Sequence, residues 1–211
     1  AFVAVLLALY HRMTNGIGQH IDVSMQEAVA ATTEHVGISY IYEGKSSVRC
    51  GFRHGGLFVA TWRCKDGYVS ITTNTQQAWD DLRNWMAEEG MEADLMTSKY
   101  GDRFVLRGEH SGHIEDVIKK WTQHHTREEI TEWGQSHHHP FGPVALPQEL
   151  LQNPQLWDRG FFNKIDHPEF GVEVIYPGAP FQMSRSPWKL RSTAPHVGQH
   201  NEEVYCQELG L

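Results

Sequence analysis

Residues 14–28, TNGIGQHIDVSMQEA, decide how this chain is read. Gly16 and Gly18 invite comparison with a phosphate-cradling loop. A dinucleotide loop requires a strand, then G-x-G-x-x-G, then a helix, so that the pyrophosphate meets the helix N-terminus. Here the order is helix, glycines, extended run, and the third glycine is missing. The Gly-Lys-Ser/Thr ending of a Walker loop is also absent. The glycines therefore read as a turn. Asn15-Gly16 stops a helix over residues 1–12. QHIDVSM, residues 19–25, alternates polar and apolar residues and predicts a strand with Ile21 and Val23 on one face. Ser24 then caps a long helix over residues 25–42, with Glu27 completing a capping box.

Working outward, the 211 residues are enough to bury a sizeable core. The formal charge of -8, from 26 acidic and 18 basic residues, argues against a nucleic-acid surface. It does not exclude a local basic patch that holds an anion. Three dispersed cysteines, Cys50, Cys64 and Cys206, form neither a disulfide framework nor a CxxC zinc site, and point to a reducing, cytoplasmic setting. The opening AFVAVLLALYHR lacks the basic flank of a signal peptide and is too short to span a bilayer. It is apolar almost all round, which predicts a buried helix, entered partway along and without a capping residue, as in a cut chain.

Residues 43–56, EGKSSVRCGFRHGG, form a polar, glycine-bearing linker and the expected domain boundary. Two β-rich runs then flank Lys65-Asp66-Gly67, a hairpin signal. Helical spacing follows over TQQAWDDLRNWMAEEG, with Trp79, Leu82, Trp85 and Met86 on one face. Further helices are predicted over 110–124, with the stripe Ile114, Val117, Ile118 and Trp121, and over 126–135, with Thr126 and Glu129 as a capping box. A short strand is expected around 143–145, then helices over 147–151 and 154–158, each led by proline. GVEVIYPGAPFQM, residues 171–183, reads as strand, proline turn and strand, and the tail as an amphipathic helix.

Residue chemistry alone is sparse. His137-His138-His139 point alternately to opposite faces if extended, which disfavours a common metal ion. His124-His125 and His110/His113 have the same weakness; the latter pair can share a helix face but lacks a third ligand. There is no GxSxG elbow, and Cys64 reads as a small buried apolar group rather than a nucleophile.

Three motifs together resemble the family III CoA-transferases, the CaiB/BaiF group, which includes formyl-CoA transferase, carnitine CoA-transferase and α-methylacyl-CoA racemase. They are LLALYHRMTNGIGQHIDVSMQEAV, FGPVALPQELLQNPQLWDRGFFNKIDHPEFG and the closing APHVGQHNEEVYCQELGL. The resemblance implies an α/β chain that forms the C-terminal half of such a protein. Residues 1–42 belong to the Rossmann-like large domain, 43–56 to a linker, 57–150 to a small α+β domain, and 151–211 to a tail returning to the large one. It implies acyl-CoA:carboxylate CoA transfer, with coenzyme A or an acyl-CoA as substrate, no tightly bound cofactor or metal, a homodimer, and neither nucleic acid nor membrane as partner. The family's nucleophilic aspartate falls before Ala1, so no catalytic residue is carried over and the chain by itself is expected to be inactive. Racemase-like chemistry and a non-catalytic folding or dimerisation module remain the alternatives. Met25 matches a methionine near bound CoA in the formyl-CoA transferase branch. Gly51, Arg53, His54, Gly55 and Gly56 lie where that branch has a glycine-rich loop over the reacting group. Phe52, Arg53 and His54 interrupt the glycines, so formyl–oxalate specificity is not expected.

Overall fold

The structure is a computed structural model that describes residues 1–33, 36–44, 46, 48–49 and 51–211. Cys50, and residues 34 and 35 of the expected long helix, lie outside the described residues, as do 45 and 47 of the expected linker. In chain order the elements are α1 (Phe2–Asn15), α2 (Met25–Ala31), α3 (Val36–Glu43), β1 (Arg53–His54), β2 (Val59–Arg63), β3 (Tyr68–Thr72) and α4 (Gln76–Glu88). There follow α5 (Ser111–Thr122), α6 (Arg127–Ser136), β4 (Gly142–Pro143), α7 (Pro147–Leu150), α8 (Pro154–Asp158), β5 (Phe162–His167) and β6 (Val172–Pro177). A four-stranded sheet runs in the order β1-β2-β3-β4, and β5 and β6 form a separate two-stranded one.

The chain divides into two units, Ala1–Ala60 with Thr73–Asp116, and Thr61–Thr72 with Val117–Leu211. In the first unit α1 ends as the sequence predicts: Gly16 takes φ 73° and its N–H bonds to Arg12 O. Its apolar surface is not covered within the chain. Phe2, Leu7, Tyr10 and Met13 are 64–85% exposed, and no residue of the helix is buried within this chain. The core of this unit lies instead under α4, where Trp79, Leu82 and Met86 are fully buried. Each such side chain contributes roughly 1.5–3 kcal/mol by burial. Thr75 caps that helix by accepting from Ala78 N, and the Trp79 indole donates to Tyr100 O at 2.8 Å.

Two expectations fail in this unit. Residues 19–24 form no strand, because among the described residues no neighbouring strand offers them a ladder, and alternation alone does not make one. The long helix after Ser24 is two shorter ones. Thr32 and Thr33 turn their hydroxyls back to Val29 O and Ala30 O at 2.7 Å, competing with continued helix. Ser24 does cap α2 by accepting from Glu27 N. The linker also contains structure: β1 pairs antiparallel with β2, Arg53 opposite Ala60 and His54 opposite Val59.

In the second unit the predicted hairpin turn is formed, with Cys64 N bonded to Gly67 O at 2.8 Å. β4 pairs antiparallel with β3 and starts at Gly142, one residue earlier than expected. The Thr126–Glu129 capping box opens α6, and Ile118, Trp121 and Ile130 are buried. The strand after the proline turn in 171–183 is not formed. β6 pairs back onto β5, with Phe162 opposite Pro177, and this partner, FNKIDH, carries too few apolar residues to show an alternation. The tail helix is a π-helix over Glu202–Glu208 rather than an α-helix, and none of its residues is buried. Among the described residues, no helix is long and apolar enough to cross a membrane.

Candidate functional site

The glycine-rich segment 51–56 is held in the first unit by a 3-10 turn over Arg103–Arg107. Asp102 caps this turn by accepting from Phe104 N at 2.8 Å, and Gln76 Oε1 accepts from Arg103 N at 3.0 Å. Leu106 O then accepts from Leu57 N at 3.0 Å, and Phe58 O accepts from Thr73 N at 2.7 Å. Between these anchors the backbone must reverse closely: Gly55 and Gly56 take φ 66° and 80°. A Cβ on Gly56 would lie 2.7 Å from Leu106 O. Glycine is required there by both backbone conformation and space.

The side chains around this loop divide by charge. Arg53 forms an ion pair with Glu115, itself buried, so its charge is matched within the unit. Arg107 is exposed and donates through Nε to Gly55 O at 2.9 Å, with its guanidinium 4.4 Å from the centre of the buried Phe58 ring. Arg103 donates to Asn74 O at 2.7 Å and lies 5.1 Å from the same ring and 4.5 Å from that of Phe104. Among the described residues, neither Arg103 nor Arg107 has a carboxylate partner. Cation–π contact and backbone carbonyls orient these two guanidiniums without neutralising them.

The sequence-derived candidates therefore separate. Gly55 and Gly56 lie against Arg107 and Leu106 of the 3-10 turn, while Arg53 and His54 pair with Ala60 and Val59 of β2. Gly51, φ 64°, precedes them in open space. Met25 is the first residue of α2 and is 85% exposed, and no hydrogen bond joins it to the segment. Arg103 and Arg107 were missed. Their only local signal is a pair of arginines four apart around Phe104, and the contact of Arg107 with Gly55 spans 52 residues of sequence.

A concavity of about 460 Å³ lies in the other unit beside Arg127 and Glu149. Arg127 makes a two-pronged bond to Glu149 at 2.9 and 3.1 Å, and its backbone N–H bonds to Asp66 Oδ1 at 2.8 Å. The Arg127 guanidinium, helped by Leu146 N–H, pulls the Glu149 carboxyl down to about 2. These charges are spent on each other: they tie the hairpin turn to α6 and α7. Burial, with Asp66 adding, pushes the Cys64 thiol up to about 11, which leaves almost no thiolate at neutral pH and supports its reading as a packing residue. No group of three or more His, Cys, Asp or Glu able to hold a metal occurs among the described residues.

The model of CoA-transferase family III matches residues 1–201. The chain is 29% identical to the succinyl-CoA:(R)-benzylsuccinate CoA-transferase subunit BbsE of Thauera aromatica, over 98% of this chain and 52% of that one. It is also 29% identical to the succinyl-CoA–L-malate CoA-transferase beta subunit of Chloroflexus aurantiacus, over 99% of this chain and 51% of that one. The crystal structure of a CAIB/BAIF family protein from Brucella suis shares the fold, with a TM-score of 0.70 at 22% identity, over 97% of this chain and 52% of that one. The chain spans about half the length of the relatives it matches. Across that span, it belongs to CoA-transferase family III.

Proposed function

We propose that this chain forms part of an acyl-CoA:carboxylate CoA-transferase acting on a CoA thioester and a dicarboxylic acid. The observation that carries the reading is the family match over residues 1–201, with relatives named as succinyl-CoA transferases. Those names favour transfer over racemase-like chemistry. Following the family resemblance, the nucleophile is an aspartate that this chain's own residues do not supply. Its carboxylate attacks the thioester carbonyl, expels the CoA thiolate and leaves a mixed anhydride. The thiolate then attacks the aspartyl carbonyl, releasing the donor acid and forming an aspartyl-CoA thioester. The acceptor carboxylate reverses these two steps on its own behalf, so one hard acyl exchange becomes several easier ones with no net proton transfer.

Every oxygen or sulfur nucleophile in that sequence is an anion, and so are the substrates. The segment 51–56 with Arg103 and Arg107 supplies positive charge in a chain of net charge -8. In this reading residues 57–150 form the small domain, and 1–42 with 151–211 belong to the large one. The protein acts as a homodimer, which the uncovered apolar surface of α1 supports.

The test is CoA exchange between succinyl-CoA and a panel of dicarboxylic acids, followed by mass spectrometry of the CoA esters. We expect exchange from the chain joined to the remaining length found in its relatives, and none from the 211 residues alone. Deuterium wash-in at the α-carbon without CoA exchange would overturn the transferase reading in favour of a racemase. Turnover by the 211 residues alone would overturn the assignment of the nucleophile.

A further inference from the structure

We propose that Arg107, with Arg103 beside it, forms an oxyanion-binding site that takes the non-reacting carboxylate of the dicarboxylic acid or a phosphate of CoA. The proposal rests on the transferase reading for the identity of its ligand, but the site itself is argued from geometry. Two cations in contact with one aromatic ring repel each other, and proteins ordinarily relieve such repulsion with a carboxylate. Arg53, four residues before Leu57, is relieved in this way by Glu115. Arg103 and Arg107 are not.

Instead they are held by groups that fix direction without cancelling charge. Arg107 uses Nε on Gly55 O, which leaves both terminal nitrogens, four N–H donors in one plane, without an acceptor among the described residues. Arg103 uses one terminal nitrogen on Asn74 O. The Phe58 ring beneath both is 6% exposed and packed, so it resists moving to follow them. Two-pronged recognition of a carboxylate or phosphate needs just this: a planar fork with its direction already set. The neighbouring glycines matter for the same reason. Side chains at Gly55 and Gly56 would collide with Arg107, at 3.1 Å from Nη2 and 2.9 Å from Cγ, and displace the fork.

The assignment moves anion recognition away from Arg53, the arginine that sequence reasoning selects. Arg53 keeps a positioning role through β1 and its pair with Glu115.

The test uses the 15N-labelled 211-residue chain, whose arginine Nε–H signals are followed during titration with succinate, with 3′,5′-ADP, and with neutral succinamide. We expect Arg107 and Arg103 signals to shift with at least one of the two anions and not with succinamide. Arg107→Gln should weaken that binding about ten- to a hundredfold, the loss expected for a charge-assisted pair. Arg107→Lys, which keeps the charge but not the fork, should fall between. Arg53→Gln should change it little if the fold is retained by circular dichroism.

Shifts with succinate alone assign the site to the acid, and shifts with 3′,5′-ADP alone assign it to CoA. Equal affinity of wild type and Arg107→Gln for both anions, or no binding of either, overturns the proposal. In the active transferase, Arg107→Lys should raise KM for the ligand so identified with kcat nearly unchanged. Because the titration needs no turnover, failure of the transferase reading leaves its outcome interpretable.

Discussion

Replacing Gly56 by alanine tests the loop at its tightest point. An L-residue at φ 80° costs about 1–2 kcal/mol in left-handed backbone strain alone. The new methyl would also sit 2.7 Å from Leu106 O and 3.2 Å from Arg107 Cα, both backbone atoms. Relieving that contact means lengthening the Leu57 N–Leu106 O bond of 3.0 Å, itself worth about 0.5–1.5 kcal/mol. Lower entropy of the unfolded chain returns about 0.4–1 kcal/mol. The net expectation for Gly56→Ala is a loss of about 2 kcal/mol. Gly51→Ala is the control. Its φ of 64° carries the same strain, but nothing lies within 4 Å of the added methyl, so the loss should be about 1 kcal/mol or less. Urea denaturation followed by tryptophan fluorescence measures both. Equal losses would show that Leu106 does not crowd Gly56 and would refute the close approach of the loop to the 3-10 turn. The same variant should weaken anion binding at Arg107, whereas Gly51→Ala should not.

Other sites offer independent checks. Gly134 lies in α6, where alanine ordinarily gains about 1 kcal/mol of helix propensity. A methyl there would lie 2.5 Å from three atoms of the buried Phe141 side chain, so Gly134→Ala should lower thermal stability instead, and Phe141→Leu should recover part of it. Glu149, held down to about 2 against an ordinary 4.5, stabilises the fold fully above about pH 4.5. That contribution is lost as pH falls through 2, so Glu149→Gln should flatten the acid limb of the stability curve between those values. Retention of the wild-type slope in acid titration would count against the Arg127–Glu149 tie. Iodoacetamide at pH 8 should modify the exposed Cys206 and spare Cys64 until urea is added, as read by peptide mass mapping. Equal labelling of both in the folded chain would refute the burial of Cys64.

The parts of the fold legible in the sequence are those whose cause is local. Asp66-Gly67 makes its own turn, Thr126 and Glu129 satisfy each other's backbone groups, and the stripe from Ile114 to Trp121 repeats at helical spacing. Each is decided within a few residues. The errors share the opposite property. Residues 19–24 alternate like a strand yet lack a partner among the described residues, while Phe162–His167 alternate poorly and become a strand because Val172–Pro177 lies alongside. Pairing, not propensity, decides both. Thr32 and Thr33 end a helix that apolar spacing would have continued, through two hydroxyl bonds that periodicity does not register.

The candidate site follows the same division, with a consequence for chemistry. Sequence identifies glycines and cations near residue 53 but not which cation is neutralised. Glu115, 62 residues away, pairs with Arg53, and Gly55, 52 residues before Arg107, aims that second arginine. Both facts are long-range, so a charge run read along the chain does not show which guanidinium is matched by a carboxylate. An arginine matched to a carboxylate releases only what it gains beyond breaking that pair, whereas one held by carbonyl oxygen and an aromatic face keeps its attraction for an incoming anion. Anion recognition in this unit therefore depends less on how many arginines border the loop than on which lack a carboxylate. Reversing one pair gives a direct check. Glu115→Gln releases the Arg53 charge, and it should raise anion affinity near the loop even as it weakens the fold.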